Sequence, residues 1–143
     1  MRHSIAGRST VVGTTLRAGA SLFASATFGG KVREVGITNT TSTAFAAALC
    51  RFTNATGVGA GLTEFDYDPA NPAQCTGFAG HTADGAVGPN ARYGSVAAAV
   101  GAGIVWTFGD SGLLIPVGTA NGIGIICPTG TGQIFDYWID WDE

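Results

Sequence analysis

The stretch QIFDYWIDW at residues 133–141 decides the fold class of this chain. Apolar and acidic side chains alternate along it with a period of two, which is typical of a β-strand with one face on a core and the other on water or a neighbour. The apolar face comprises Phe135, Tyr137, Ile139 and Trp141. The opposite face carries Asp136, Trp138, Asp140 and, one residue further on, Asp142.

Alternation and turn residues predict further strands along most of the chain. They cover residues 31–39, 43–53, 62–67, 74–82, 104–108, 113–117 and 123–127. Residues 92–100 are rich in alanine and leave strand and helix both open. The turn sequence GDSG at 109–112 predicts a tight hairpin between the strands on either side of it. This pattern favours an all-β, antiparallel sandwich or barrel.

The length of 143 residues is that of one domain with a proper core. Residues 1–17 are polar, basic and weakly patterned, so they are expected to form an extended N-terminal arm with one short strand at 10–16. Residues 18–143 then form a single β-sandwich domain. The arm carries Arg2, Arg8 and Arg17, which are candidate contacts to another protein.

The composition is unusually low in charge, with 12% Asp, Glu, Lys and Arg and 23 glycines. A surface this neutral favours assembly, because charged residues normally keep copies of a protein apart. The net charge of −3 argues against nucleic acid, which requires a basic face. The most apolar run, residues 96–108, is too short to cross a bilayer, and the first residues lack the apolar core of a secretory signal. We therefore expect a soluble protein made in the cytoplasm.

Opposite charges gather at the two ends of the chain. Six basic residues and one acid, Glu34, lie between the start and Arg51, whereas the residues after Arg92 include acids but no Lys or Arg. Such asymmetry predicts electrostatic alignment of one subunit against the next, or of a basic arm against an acidic scaffold.

Three cysteines, Cys50, Cys75 and Cys127, match no zinc-binding spacing. Cys50 and Cys127 have apolar neighbours and are expected to be buried thiols, while a Cys50–Cys75 bridge remains open. The glycine-rich loop at 57–61 lacks the lysine of a phosphate-binding loop. No metal or cofactor is expected.

Ser111 in GDSG is the one residue that invites a catalytic interpretation, because the turn is similar to the nucleophile turn of chymotrypsin-like proteases. That chemistry needs a general-base histidine and an orienting aspartate beside the serine. His81 lacks the sequence context of such a base, so a β-turn is favoured and no enzymatic activity is expected. The acids of the last strand are likewise interpreted as an outer or intersubunit face rather than a metal site or glycosidase pair.

Three tryptophans raise the alternative of sugar stacking. Trp106 and Trp141 are in phase with apolar neighbours and are predicted to pack in the core. Trp138 shares a face with the acids, so Trp138 and Asp140 are the candidate exposed interface residues of the last strand.

Several stretches together resemble small virion proteins of tailed bacteriophages that decorate or cement the capsid. They are VREVGITNTT (32–41), GIVWTFGD (103–110), GLLIP (112–116), GTANGIG (118–124), TGTGQ (129–133) and the acidic ending WDE (141–143). The resemblance implies a jelly-roll-like β domain, often trimeric, bound to the capsid surface, and it brings no family active site.

The expected function is therefore a capsid decoration protein that stabilises the shell by binding the major capsid protein as a homo-oligomer, with a trimer as the expected state. The basic arm would reach onto the major capsid protein or an adjacent trimer. An alternative is a tail-associated or fibre-tip module whose loops at 54–61 and 83–90 contact a host glycan or another tail protein. A small hydrolase using Ser111 or the C-terminal acids is the remaining alternative.

Overall fold

A computed structural model describes residues 1–10, 16–55, 57–129 and 133–143. Across these residues the regular structure consists of strands, with no helix. The strands are β1 (Arg2–Arg8), β2 (Ala18–Phe23), β3 (Gly30–Asn39), β4 (Phe45–Phe52), β5 (Ala60–Gly61), β6 (Phe65–Asp66), β7 (Thr76–Ala79), β8 (Val87–Val96), β9 (Gly103–Thr107), β10 (Leu113–Ile115), β11 (Gly122–Ile126) and β12 (Phe135–Asp142).

The strands form two antiparallel sheets packed face to face. The first sheet has the order β10-β3-β12-β1-β6, with β9 also paired to β3. The second has the order β5-β7-β2-β11-β4-β8. The predicted all-β antiparallel sandwich is confirmed.

The long strands pair in a nested order. β1 pairs with β12, β2 with β11, β3 with β9 and β4 with β8, so the first third of the chain pairs with the remainder in reverse sequence. Consecutive strands β1 to β4 also alternate between the two sheets.

The main core lies between the sheets. The first sheet contributes the predicted apolar face of β12, and all four of its side chains are buried: Phe135, Tyr137, Ile139 and Trp141. The second sheet contributes aliphatic side chains from β2, β4 and β11, namely Ala20, Leu22, Ala47, Leu49, Ile123 and Ile125. The alternation that predicted β12 thus arises from core packing on one face only.

A second apolar layer covers the outside of the second sheet. It contains Ala18, Phe23, Ala48, Cys50, Phe52 and Ile126. Strands β2 and β11 are therefore buried on both faces, which explains why their sequences read as continuous small or aliphatic runs without alternation.

The N-terminal residues differ from the expected arm. Residues Arg2–Arg8 form β1, an inner strand between β12 and β6, and Ile5 is buried in the core. The strand has only one large aliphatic residue, so its alternation is too weak to recognise in the sequence. The predicted strand at 10–16 falls mainly on residues 11–15, outside the described part of the chain.

The GDSG sequence does not join a hairpin. β9 and β10 both pair with β3, β9 along Glu34–Thr38 and β10 along Gly30–Val32, so the two strands run end to end on the same edge. Residues 109–112 form an excursion between them, with Gly109 and Gly112 at positive φ. The GDSG sequence therefore does interrupt the strand, but the chain does not reverse its direction there.

Other predicted segments have different boundaries in the structure. The predicted strand 62–67 is replaced by two short strands, β5 and β6, which belong to different sheets. The predicted loop 83–90 already contains the start of β8, and the ambiguous segment 92–100 continues that strand to Val96.

Candidate interaction surfaces

The outer side of the first sheet, formed by β1, β12 and β3, is a charged face. Register brings opposite charges together across β1 and β12, with Arg2 opposite Asp142 and Arg8 opposite Asp136. The face carries four of the predicted interface residues, which are Arg2, Arg8, Trp138 and Asp140.

The arginines of this face are paired within the chain. Arg8 binds Asp136 through two hydrogen bonds, 2.7 Å from Nε to Oδ1 and 3.0 Å from Nη2 to Oδ2. These bonds hold the pKa of Asp136 below its usual range. The Nε of Arg2 lies 3.4 Å from Oδ1 of Asp142. The opposite charges of the two chain ends therefore form ion pairs within the chain, between β1 and β12.

Asp142 is the most heavily engaged acid of the face. Burial acts to raise its pKa, but hydrogen bonds and charge from Arg33 and Arg2 outweigh that effect and lower the pKa below its usual range. Arg33 also donates to the carbonyl oxygens of Gly109 and Asp110, at 2.9 and 2.6 Å. One guanidinium thus joins β12 to the GDSG excursion.

Trp138 lies against the sheet instead of projecting from it. A Cβ atom on Gly36 would come within 1.9 Å of the Trp138 ring, so the indole covers the bare backbone of the neighbouring strand. Its Nε1 donates to Glu34 at 2.8 Å. The Trp138 side chain is half-buried, so it is less exposed than the interface residue that the sequence predicted.

Asp140 has an electrostatically unfavourable position. It stands directly opposite Glu34 in the β12–β3 register, and like charges placed this way destabilise a sheet. Partial burial raises the pKa of Asp140, Glu34 raises it further, and Arg2 acts in the opposite direction.

Arg17 lies outside the charged face. It precedes β2 of the second sheet, and its Nε donates to Asp84 at 3.0 Å. The five predicted interface residues are therefore not one contiguous site.

Ser111 and His81 are not brought together as a catalytic pair. Ser111 lies in the excursion on the edge of the first sheet, whereas Nε2 of His81 is 2.8 Å from Oγ of Ser21 in β2 of the second sheet. Both Ser21 and His81 are buried, and Nδ1 of His81 has no hydrogen-bond partner among the residues that the structure describes.

His81 occupies an apolar site that sequence reasoning missed. Its ring packs against Phe23 and Phe52, with centroid separations of 6.3 and 5.2 Å. Burial lowers the pKa of His81 to about 4. No local motif marks this site, because its members come from β2, β4 and the segment after β7.

A second polar cluster also escaped the sequence analysis. Nδ1 of the buried His3 lies 2.8 Å from Asp66, and its ring packs on Trp141 at 5.6 Å. Nearby, Glu143 accepts hydrogen bonds from the Trp141 indole and from the backbone amides of Gln74 and Cys75. A cavity of about 360 Å³ opens beside this cluster. Long-range pairing of β1, β6 and β12 assembles it, so no spacing in the sequence could indicate it.

The three cysteines are buried and free, so the Cys50–Cys75 bridge is not formed. Burial raises the pKa of Cys50 to about 12 and that of Cys127 to about 11. Burial and the charge of Glu143 raise the pKa of Cys75 as well. Within the described ranges, no three His, Cys, Asp or Glu side chains converge in a way that would hold a metal ion.

An exposed apolar loop, residues 97–101, connects β8 to β9. Its sequence is AAAVG, and every residue in it is exposed, with Val100 at 72%. Other large apolar side chains are exposed elsewhere on the domain, including Phe65, Tyr67, Tyr93, Val105, Leu114 and Val117.

Comparison with protein-family models, curated proteins and solved structures returned no match. The described residues include no helix with the length and hydrophobicity needed to cross a membrane.

Proposed function

We propose that this chain is a bacteriophage virion protein of the capsid decoration type, which binds the major capsid protein as a homo-oligomer and stabilises the shell. The observation that carries the proposal is the exposure of large apolar side chains on a domain with only 12% charged residues. Phe65 is 65% exposed and Val100 is 72% exposed. Soluble monomers rarely expose extensive apolar surface, whereas subunits of assemblies cover it on docking.

The strand order supports a jelly-roll assignment. Nested pairing of β1 to β4 with later strands, in two antiparallel sheets, is what rolling up a long hairpin produces. Folds of this class serve many functions, so the topology supports the proposal only by agreeing with the resemblance to decoration proteins.

We assign the shell contact to the aromatic pair Phe65 and Tyr67. Both side chains are exposed, and they contact each other edge to face at 5.7 Å. The backbone amide of Tyr67 donates to the carbonyl oxygen of Arg2, which places the pair beside a largely exposed arginine. Tyrosine and arginine are enriched among residues that dominate binding energy at protein interfaces.

The test is to mix the purified protein with undecorated shells assembled from the major capsid protein of the same virus. We expect co-sedimentation with the shells and a higher melting temperature of the shells. The double variant Phe65→Ala, Tyr67→Ala should lose binding, while Tyr93→Ala, which removes a similarly exposed aromatic ring, should retain it. Indifference to shells together with binding to a glycan array would instead favour the tail-associated module.

A further inference from the structure

The cavity of about 360 Å³ beside His3 combines a buried polar group, a carboxylate and an aromatic wall. Its lining includes His3, which is 1% exposed, Glu143, and Phe28, which is 49% exposed. A cavity of this size accommodates a small ligand, and a few placed polar groups among apolar ones are typical of such sites.

His3 brings a buried hydrogen-bond acceptor to this cavity. Its Nδ1 lies 2.8 Å from Oδ1 of Asp66, which also accepts from the backbone amide of Ala73 at 3.0 Å. Because a carboxylate oxygen accepts, this contact assigns the proton to Nδ1, and Nε2 of the neutral ring presents a lone pair. Nε2 has no hydrogen-bond partner among the residues that the structure describes. Buried ring nitrogens are normally paired, so this one calls for a donor from the cavity.

Glu143 contributes an ionised carboxylate that is fixed in place. Its Oε1 accepts from the amide of Cys75 at 2.7 Å and from the Trp141 indole at 2.9 Å, and its Oε2 accepts from the amide of Gln74 at 2.8 Å. Burial acts to raise the pKa of Glu143, but these hydrogen bonds outweigh burial and lower the pKa below its usual range. A carboxylate oxygen has two acceptor positions, so Oε2 can accept a further hydrogen bond.

The other polar groups of the cavity also favour a ligand that donates. The side-chain amides of Asn71 and Gln74 already donate to neighbouring oxygens, at 2.6 and 3.2 Å, which leaves their side-chain carbonyl oxygens as acceptors. No Lys or Arg lines the cavity in the described part of the chain. The amino group of Met1 donates to the main-chain oxygen of Glu143, so it leaves the side-chain carboxylate available. A set of acceptors with one negative charge favours a cation with N–H donors and disfavours an anion.

We propose that this cavity binds a primary alkylammonium group, carried by a free amine or by a lysine side chain. The ammonium would donate to Oε2 of Glu143 and to Nε2 of His3. The ring of Phe28 would contact the cation, since aromatic faces attract positive charge. The inference does not depend on the proposed function, because the site recognises the ammonium group whichever molecule carries it.

The test is an NMR titration of the isotope-labelled full chain with butylammonium chloride. We expect a saturable shift of the Trp141 indole resonance, since this indole donates to Glu143. The Trp138 indole donates to Glu34 on the charged face and serves as the internal reference. Tetramethylammonium, a cation without N–H donors, and methyl glucoside, a neutral donor of hydroxyl hydrogens, should each bind at least about tenfold more weakly. Equal binding of either compound, no saturation at Trp141, or a shift of Trp138 without Trp141 would overturn the proposal.

Two variants and a matched control locate the binding in the cavity. Glu143→Gln removes the charge and keeps a side-chain oxygen, and it should raise the dissociation constant for butylammonium about tenfold. Phe28→Leu removes only the aromatic ring of a half-exposed residue and should raise it about two- to fivefold. Phe65→Leu, at an exposed phenylalanine outside the cavity lining, should bind as the wild type does. Circular dichroism checks that each variant is folded, and wild-type affinity of both Glu143→Gln and Phe28→Leu would reject the site.

The two sources of the ammonium group are distinguished by titrating lysine with capped amino and carboxyl groups against putrescine. Tighter binding of the capped lysine assigns the site to a partner protein, and tighter binding of putrescine assigns it to a free diamine. Shell binding is measured separately: a chain that binds butylammonium but ignores shells rejects the proposed function alone, and one that binds shells but not butylammonium rejects this inference alone.

Discussion

Gly36 determines where the largest side chain of the charged face lies. Any Cβ at this position would overlap the Trp138 ring, which donates to Glu34. We predict that Gly36→Ala lowers the free energy of unfolding by about 1–3 kcal/mol, the usual cost of overpacking. In a Trp138→Ala background the same substitution should cost much less, because the overlapping ring is gone. Chemical denaturation of the four proteins in this cycle measures the coupling, and strictly additive costs would contradict it.

His81 makes the stability of the domain sensitive to acid. Its pKa is lowered to about 4 in the folded protein, whereas an unfolded histidine has a value near 6.5. Between these values the unfolded chain binds the proton first, so stability falls as the pH drops through this window, by about 3 kcal/mol in total.

The His81→Gln variant tests this prediction, since glutamine does not titrate and keeps a side-chain amide that can hydrogen-bond. We expect denaturation curves of the variant to show a shallower loss of stability between pH 6.5 and 4 than the wild type. Asp136 and Asp142, whose pKa values are lowered, should produce their own loss of stability below about pH 4 in both proteins. An NMR titration that placed the His81 pKa near 6.5 would contradict the assignment.

Among the elements, the edge formed by β9 and β10 depends on Arg33. Its guanidinium binds Asp142 and the carbonyl oxygens of two residues in the excursion, and Arg33 itself is the extra residue where the β3–β12 register shifts. Hydrogen bonds that involve a charged group contribute more to stability than exposed ion pairs do.

We therefore predict that Arg33→Ala lowers the free energy of unfolding by about 2 kcal/mol. Amide exchange of residues 109–112 should accelerate in this variant. Arg8→Ala is the matched control, since it removes an arginine–aspartate pair that is largely exposed, and it should leave stability nearly unchanged. Equal effects of the two substitutions would show that the contacts of Arg33 to the excursion contribute nothing.

The sequence was sufficient to predict most individual strands but not their partners. Alternation along β12 and the apolar runs of β4 and β11 were visible locally, because burial on one or both faces imposes them. The apolar run of β9 was visible too, although Trp106 is its one buried residue. Pairing is non-local, so β9 and β10 were assigned to each other although both bind β3. The acids and Trp138 of β12 were predicted to form an outer face, whereas Arg2 and Arg8 were assigned to an arm and Arg17 lies apart from that face. The sites around His81 and His3 depend on register that no local pattern encodes.

At the scale of the whole molecule, we expect β1, residues 2–8, to contribute to the stability of the domain. Ile5 is buried between the sheets, while Ala6 next to it is exposed on the outer face. We predict that Ile5→Ala lowers the free energy of unfolding by about 2–5 kcal/mol, as truncation in a core does. Ala6→Ser should have little effect. A dispensable arm would tolerate both substitutions equally, and thermal or chemical denaturation distinguishes the two cases.

Nested pairing also sets how the molecule would respond to mechanical load. Arg2 pairs with Asp142 at one end of the β1–β12 ladder, so opposed forces on these two residues act across the strands and open the hydrogen-bonded pairs one after another. Each step meets the resistance of a single pair instead of the whole ladder. Force applied at Arg2 and Asp142 would therefore unzip the β1–β12 ladder at low force. Force applied along the strands would instead load many hydrogen bonds at the same time.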